Sequence, residues 1–401
     1  MLVNAETLLT LVPVAVSSTA YAAMMWVCAR GVVRGRRAPP PLPDRAPRIS
    51  VLKPLAGFDD ELEANLASFG ELDYPDYEIL FGLASTNDPA LAAARRFVAN
   101  HPGRARIVLT DPGNAINPKV AQLIDLDRKA TGEIVVVSDS NVRVEPSYLW
   151  SLVRELELPG VGLVTSIFVG SGEQSIGAAL ENLQLCASTT PGIVATNLAT
   201  KWVATIGKSM AMRRRDLVRL GGFGRFGNLL AEDQVLGLAF SHAGFGVRMS
   251  MEAVHNRNTS CSLRRTFERH TRWSKLRRSL HPTGFAFEPL LTPLIVATVV
   301  ALIERSQLAL AVAGIVAVLQ TVASLSITAL LRGKPLAWRY APLEIVRTCV
   351  YLACWAAALV TMRIQWRGHP FLLKSGSAIV PAAPSGWSLV WARVRAVGAR
   401  A

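Results

Sequence analysis

The chain has 401 residues, a formal charge of +14, 51% hydrophobic residues and a mean hydropathy of +0.31. A soluble enzyme is seldom this apolar and this basic at once, and the pairing points to a membrane protein whose large polar part faces anionic lipid. A nucleic-acid binder needs the charge but not long uncharged runs, and five cysteines without C-x-x-C or metal-type spacing argue against a disulfide scaffold.

Leu8 to Ala29 carries no charge and is long enough to cross a bilayer. Arg30, Arg34, Arg36 and Arg37 follow directly, so the positive-inside rule places the next segment in the cytoplasm. A cleaved signal peptide, with a candidate site at Ala20-Tyr-Ala22, would carry its charges before the run. Here they come after it, and a retained anchor is expected. Pro39–Pro43 is a short stiff linker, which closes an anchor unit over residues 1–44.

From residue 45 strand and helix patterns alternate at short spacing. Arg48–Pro54 reads as a strand, Glu61–Phe69 as a helix with Leu62, Leu66 and Phe69 on one face, and Tyr77–Leu83 as a second strand. Asp88 suits the cap of a helix over Ala90–Asn100, with Pro89 in its first turn. Ala105–Leu109 is a third strand, and Asn117-Pro-Lys-Val120 opens the next helix. Ile134–Val137 is a β-branched run of the kind buried on both faces of a parallel sheet. It stops at Ser138-Asp139-Ser140-Asn141, so a carboxylate sits at the carboxyl end of a core strand, where open α/β sheets bind ligands. The same aspartate also suits the cap of a turn. The alternation predicts an α/β fold, a doubly wound, Rossmann-like layer over 45–261.

Further on, Tyr148–Glu157 reads as a helix, Gly160–Thr165 and Gly207–Met212 as strands, and Leu217–Gly222 as a helix end with a glycine stop. Leu229–Asp233 leads into a helix over Gln234–Ser241, so Glu232 and Asp233 stand at a helix N-terminus, as plain dipole partners would. In Ser262–His281, seven basic residues face the single acid Glu268, while Leu263, Phe267, Trp273, Leu276 and Leu280 recur at helical spacing. That is a basic amphipathic helix fit for a membrane surface, assigned to 262–285. Residues 286–401 are expected to form a membrane region and a cytoplasmic tail. Leu290–Ile303 is apolar but short, Leu308–Leu331 is a full span, and Thr348–Met362 is short again. The basic clusters Arg332–Arg339 and Arg363–Lys374 cannot both be cytoplasmic if one span separates them. The expected solution makes 290–303 interfacial or re-entrant and keeps two C-terminal spans.

Seven short elements stand in order: Leu52-Lys-Pro-Leu55, Leu72-Asp-Tyr-Pro75, Asp88-Pro-Ala90, Asn117-Pro-Lys119, Ser138-Asp-Ser140, Ala231-Glu-Asp233 and Arg269-x-x-Arg272-Trp273. Over roughly residues 48–280 the chain resembles the ceramide glucosyltransferase family, a membrane branch of the inverting family-2 glycosyltransferases with a GT-A fold. The bacterial hopanoid glycosyltransferases look similar. The chemistry of such a reaction can be stated on its own. A nucleotide-sugar donor presents a diphosphate whose charge must be neutralised, and a divalent metal (Mg or Mn) on a strand-end carboxylate does this; Asp139 is the candidate. Lys53 and Lys119 add positive charge near the nucleotide. The acceptor is a primary alcohol, so a general base must take its proton; Asp233 is the choice, with Glu232 as a tuning neighbour.

The resemblance implies that Asp88 contacts the uridine, and that Arg269, Arg272 and Trp273 form the R-x-x-R-W element closing over diphosphate and acceptor at the membrane face. Arginine suits developing phosphate charge, and tryptophan suits an amphipathic boundary. Two departures stand out. Ser85-Thr-Asn87 lies where members often carry an additional acid, and Asp139-Ser-Asn141 replaces Asp-x-Asp, so a metal would rest on one clear carboxylate.

The expected activity is transfer of glucose from UDP-glucose to the hydroxyl of ceramide or a ceramide-like lipid, with inversion. The expected setting is the cytoplasmic leaflet of a bacterial inner membrane, for a multi-pass protein with no nucleic-acid partner. The alternatives are transfer of N-acetylglucosamine to a hopanoid polyol, a processive polysaccharide synthase, which needs more spans, and a non-catalytic membrane-tethered nucleotide-binding protein.

Overall fold

The computed structural model describes residues 5–366 and 369–382. Eight strands form one sheet: β1 (Ile49–Pro54), β2 (Tyr77–Leu83), β3 (Ala105–Leu109), β4 (Ile134–Ser138), β5 (Val142–Arg143), β6 (Val161–Ser171), β7 (Ser209–Arg213) and β8 (Gly246–Arg257). Their order is β3-β2-β1-β4-β7-β6-β8-β5. The first four are parallel, as the alternating pattern predicts. Strand β7 then enters antiparallel to both β4 and β6, and β6 runs parallel to β8. The layer is α/β and GT-A-like: a parallel half joined to a mixed half.

Side-chain alternation along the strands builds two cores. Val51, Ile79, Phe81 and Val136 pack on one face against Leu66, Phe97 and Leu152 of three helices. Leu52, Leu80, Val135 and Val137 pack on the other, against Val120, Leu123 and Leu126 of helix Pro118–Lys129 and Leu236 and Phe240 of helix Glu232–His242. Residues 118 and 232 therefore begin two helices on the same face of the sheet. Strand β6 outruns its expected end and is buried throughout. The added length receives the N-terminal helix.

That helix, Ala5–Arg37, has 33 residues and is about 50 Å long at 1.5 Å per residue, some 20 Å beyond the hydrocarbon core of a bilayer. The surplus docks on protein. Cys28 and Val32 are fully buried against Ile167 and Val169 of β6. Arg36 donates to the carbonyl of Met251 in β8 at 3.2 Å and to those of Leu330 and Leu331 at 2.8 Å.

Among the described residues, three helices are long and apolar enough to cross a membrane: Thr10–Arg37, Gln307–Arg332 and Trp338–Val360. The pair Pro282–Leu291 and Pro293–Glu304, bent by 70°, is either a fourth, broken span or a re-entrant loop. Gln307–Arg332 ends beside the sheet, where Arg332 pairs with Glu173 at 3.0 Å. Helix Leu343–Val360 lies along the basic helix Leu263–Leu280. Near its start Arg347 donates to Gln184 of the α/β layer at 2.7 Å, and at its end Arg278 donates to the carbonyls of Ala358 and Leu359 at 2.6 and 2.9 Å. One end thus meets the α/β layer and the other the basic helix, and the helix, within Trp338–Val360, has the length and apolarity of the second C-terminal span that the sequence leads one to expect.

The expected tail is folded as far as residue 382. Strands β9 (Arg363–Trp366), β10 (His369–Leu373) and β11 (Ile379–Pro381) make an antiparallel sheet in the order β11-β10-β9. The remainder of the expected tail, 383–401, lies outside the described residues.

Candidate active site

Three chain segments meet at the carboxyl end of β4. Asp139 follows the last residue of that strand. Lys119 comes from the first turn of helix Pro118–Lys129. Asn117 caps that turn, its Oδ1 accepting from the amides of Lys119 and Val120 at 2.9 and 3.2 Å, while Pro118 occupies the position that needs no amide hydrogen. Glu232 and Asp233 open the next helix on the same face.

Lys119 Nζ ties these segments together. It lies 2.9 Å from Asp139 Oδ1, 2.9 Å from Glu232 Oε1 and 3.4 Å from the carbonyl of Gly207. Burial opposes its charge, but Asp139, Glu232 and Asp233 outweigh burial and raise its pKa above the ordinary lysine value. Asp139 meets a second ammonium, Lys208 Nζ, 3.0 Å from its Oδ2, and Lys208 also donates to Asn141 Oδ1 at 2.7 Å. Burial alone would raise the Asp139 pKa; the two lysines reverse that and hold the carboxyl well below the usual carboxylate range.

The two acids of the pair differ. Glu232 is buried and turns inward, with Asn117 Nδ2 donating to its Oε2 at 3.3 Å. Burial, with added repulsion from Asp233 and Asp139, raises its pKa against the pull of Lys119. Asp233 is half-buried. One of its oxygens accepts from the amide of Gly207 at 2.6 Å and the other from the amide of Gln234 at 2.8 Å, and its carbonyl accepts from Thr205 Oγ1 at 2.7 Å. A carboxylate has about four acceptor sites, so two remain. Gly207 is required here by close approach, because a Cβ would stand 2.7 Å from Lys119 Nζ and 3.0 Å from Asp233 Oδ2.

The other expected residues are placed less uniformly. Lys53 is fully buried in β1, over the Phe69 ring at 3.7 Å, and donates to the carbonyl of Asp139 at 2.9 Å and to Ser138 Oγ at 3.3 Å. It braces the turn that carries Asp139, and burial pushes its pKa down to about 7. Asp88, in the loop between β2 and the helix Ala90–Asn100, accepts from the amides of Gly57 at 3.0 and 3.2 Å and Ala90 at 2.8 Å, joining the loop after β1 to a helix start. Arg269 is paired with the fully buried Glu181 and donates to Asn258 Oδ1 at 3.4 Å. It lines a polar cleft with Asn141, Asp59 and Arg257, so the basic helix reaches the turn after Asp139. Trp273 does not line that cleft; it packs on the core of the α/β layer, with the His270 ring edge-on at 5.2 Å. Arg272 is half-buried beside it, also outside the cleft lining.

Lys208 and Glu181 complete this site and were not read as site residues from the sequence. Each carried one signal. Lys208 is the single charge in Gly207–Met212, and Glu181 the single charge in the apolar helix Ile176–Gln184. As for a metal, no group of three or more His, Cys, Asp or Glu side chains is placed to hold one among the described residues.

The model of glycosyl transferase family 21 matches residues 10–379. The chain is 29% identical over 246 residues to ceramide glucosyltransferase 1 of Caenorhabditis elegans, covering 61% of this chain and 53% of that protein. It is 25% identical over 347 residues to ceramide glucosyltransferase 3 of the same organism, covering 84% and 74%. The aligned region thus spans about half the length of the first relative and three quarters of the second. Among solved structures it is similar to a mannosyltransferase from Pyrobaculum calidifontis in complex with GDP-Man and Mn2+. That match has 21% identity, covers 87% of this chain and 98% of the other, and has a TM-score of 0.49. The family match runs through both the α/β layer and the apolar helices, and the chain belongs to glycosyl transferase family 21.

Proposed function

We propose that the chain is a membrane-bound glycosyltransferase that moves glucose from UDP-glucose to the primary hydroxyl of ceramide or a ceramide-like lipid. The observation that carries this reading is the meeting of Asp139, Lys119 and the Glu232–Asp233 pair at the carboxyl end of β4, with the basic helix beside them. Family membership and the curated relatives supply the substrate class.

In this reading the acceptor hydroxyl oxygen attacks the anomeric carbon, the bond from that carbon to the diphosphate breaks, and the hydroxyl proton passes to Asp233. UDP leaves with the bonding electrons, and attack opposite the leaving group inverts the centre. Glu232, held by Lys119 and Asn117, keeps its neighbour oriented. Lys119 and Lys208 supply positive charge where the diphosphate develops negative charge. Arg269 extends that field along the cleft, Asp88 faces the uridine, and Trp273, packed on the α/β core, seats the basic helix that carries Arg269 and Arg272. Asp139 and Asn141 would hold a hard divalent ion only with Lys119 and Lys208 turned from their oxygens toward the diphosphate, phosphate and water completing the shell. When bound, such an ion would neutralise diphosphate charge. The basic residues in the last turn of the N-terminal helix favour a cytoplasmic catalytic layer.

The test is lipid mass spectrometry on a host without glycolipids, fed ceramide and expressing the intact chain or Asp233→Asn. Hexosyl-ceramide is expected with the intact chain, reduced about 10²- to 10⁴-fold in the variant, the usual weight of a general base. A sugar on a hopanoid instead would move the acceptor to the alternative class. No new glycolipid, or full activity in Asp233→Asn, would overturn the assignment.

A further inference from the structure

Helix Glu232–His242, which carries the acid pair, begins without a side-chain cap. Its N-cap residue is Ala231, with φ −96° and ψ 55°. Alanine offers no oxygen to the first-turn amides, and the local help is confined to the acids of that turn, with Asp233 Oδ1 taking the Gln234 amide, so the local sequence fixes the helix start weakly. The preceding loop, 227–230, must be held from outside, and two elements hold it. On one side Asn117, at the head of the Lys119 helix, donates through its amide to the carbonyl of Gly227 at 2.8 Å and through Nδ2 to that of Leu229 at 2.7 Å.

On the other side stands the C-terminal sheet β9–β11. Leu230 donates its amide to the carbonyl of Ser377 at 2.9 Å, and Ile379 donates to that of Asn228 at 2.8 Å. These bonds flank an antiparallel bridge between Leu229 and Ala378. The carbonyl of Ser377 is presented from a left-handed turn, Gly376 at φ +66° and Ser377 at φ +64°. The Leu230 side chain is buried among Ile364, Phe371, Leu373 and Ile379, and Ile116, next to Asn117, packs on the same cluster. The sheet also grips the basic helix, because Lys275 Nζ donates to the carbonyl of Arg363 at 2.6 Å and Leu276 joins the cluster. One small sheet therefore contacts the acid-pair loop, the head of the Lys119 helix and the helix of the R-x-x-R-W element.

We propose that residues 363–366 and 369–381 are a positioning clamp for the acid pair, holding Glu232 and Asp233 in register with Lys119 and the basic helix. The proposal rests on the reading above in which Asp233 is the base. Its residues touch no substrate; they act through the 227–230 loop. Because a displacement of about 1 Å at a reacting group can cost on the order of 10²-fold in rate, loosening the clamp lowers turnover while donor binding persists.

The test uses the full chain in lipid nanodiscs, with the exposed Cys349 changed to Ser. Leu229 and Ala378 face each other as a pair flanked by the two backbone bonds, a geometry with Cα atoms about 4.5 Å apart and within disulfide reach. Phe371→Ala loosens the cluster; its kcat is expected to fall about 10- to 100-fold, with KM for UDP-glucose changed less than about twofold. Adding Leu229→Cys and Ala378→Cys restores kcat on oxidation and loses it again on reduction. Should Phe371→Ala fail to fold, Lys275→Met removes one grip on the basic helix, and the same kcat-against-KM split is expected at smaller size. Unchanged kcat in these variants, or no rescue by the cross-link, overturns the clamp while Asp233→Asn stays inactive. Full activity in Asp233→Asn overturns the base assignment instead.

Discussion

Lys53 shows how one side chain can read as a ligand in sequence and serve as a brace in structure. Its ammonium is fully buried, with a carbonyl, a hydroxyl and an aromatic face as its surroundings. A lysine whose folded pKa drops from 10.5 to about 7 binds a proton more readily unfolded than folded between those values. Stability then rises with pH across that window and is lost as pH falls toward 7. The thermal midpoint in nanodiscs is expected to climb from pH 7 to 10, and Lys53→Met to flatten that climb; an unchanged slope would refute the assignment. Lys119 and Asp139 behave oppositely. With Lys119 raised and Asp139 lowered, their pair contributes from about pH 4 to beyond the ordinary lysine range. Lys-Pro and Asn-Pro-Lys were legible in the sequence. Which lysine does what at Asp139 was not, because Lys53 reaches the Asp139 turn only once β1 and β4 lie side by side.

At the scale of elements, the basic helix owes its position to a buried acid as much as to lipid. Glu181 is fully buried and faces Arg269, whose pKa rises because that carboxylate outweighs the cost of burial. Glu181→Gln leaves the guanidinium without its counter-charge, and a destabilisation of about 3 kcal/mol is expected from the usual cost of breaking a buried pair. Chemical denaturation in nanodiscs measures it; a loss below about 1 kcal/mol would place Arg269 in effective contact with solvent. The helix itself was plain in the sequence, since charge and apolar spacing alternate over 262–281. Its partner was not. The helix Ile176–Gln184 is buried over nearly its whole length, and nothing in its sequence says which basic residue its single acid, Glu181, will meet.

For the whole molecule, the contacts bear on a topology that hydropathy left open. Arg36 and Arg332 both end beside β6 and β8, so Ala5–Arg37 and Gln307–Arg332 run toward the α/β layer. The bent pair 282–304 is a broken span or a re-entrant loop, and Trp338–Val360 is long and apolar enough to cross. Arg347 nonetheless bonds the α/β layer, Ala358 and Leu359 bond the basic helix, and the sheet β9–β11 that follows meets the loop before Asp233. We therefore expect both basic clusters, Arg332–Arg339 and Arg363–Lys374, to share one side, with 282–304 crossing. Single cysteines replacing the exposed Lys334 and Lys374 are expected to react with an impermeant maleimide from the same face of sealed vesicles, and one replacing Arg305 from the other. Labelling of Lys334→Cys and Lys374→Cys from opposite faces would restore a crossing between them.

The sequence by itself determined the class of protein, the parallel half of the sheet, the strand-end aspartate, the acid pair and the basic helix. Each is written in local pattern: β-branched runs, capping residues, charge against apolar spacing. Tertiary structure decided what those residues do to one another. Lys208 reaches Asp139 because β7 inserts beside β4, and the loop before Asp233 is held by strands more than 130 positions further along the chain. Such pairings depend on which segments become neighbours, and strand order and helix docking are set by the burial of whole faces, which no single stretch of sequence records.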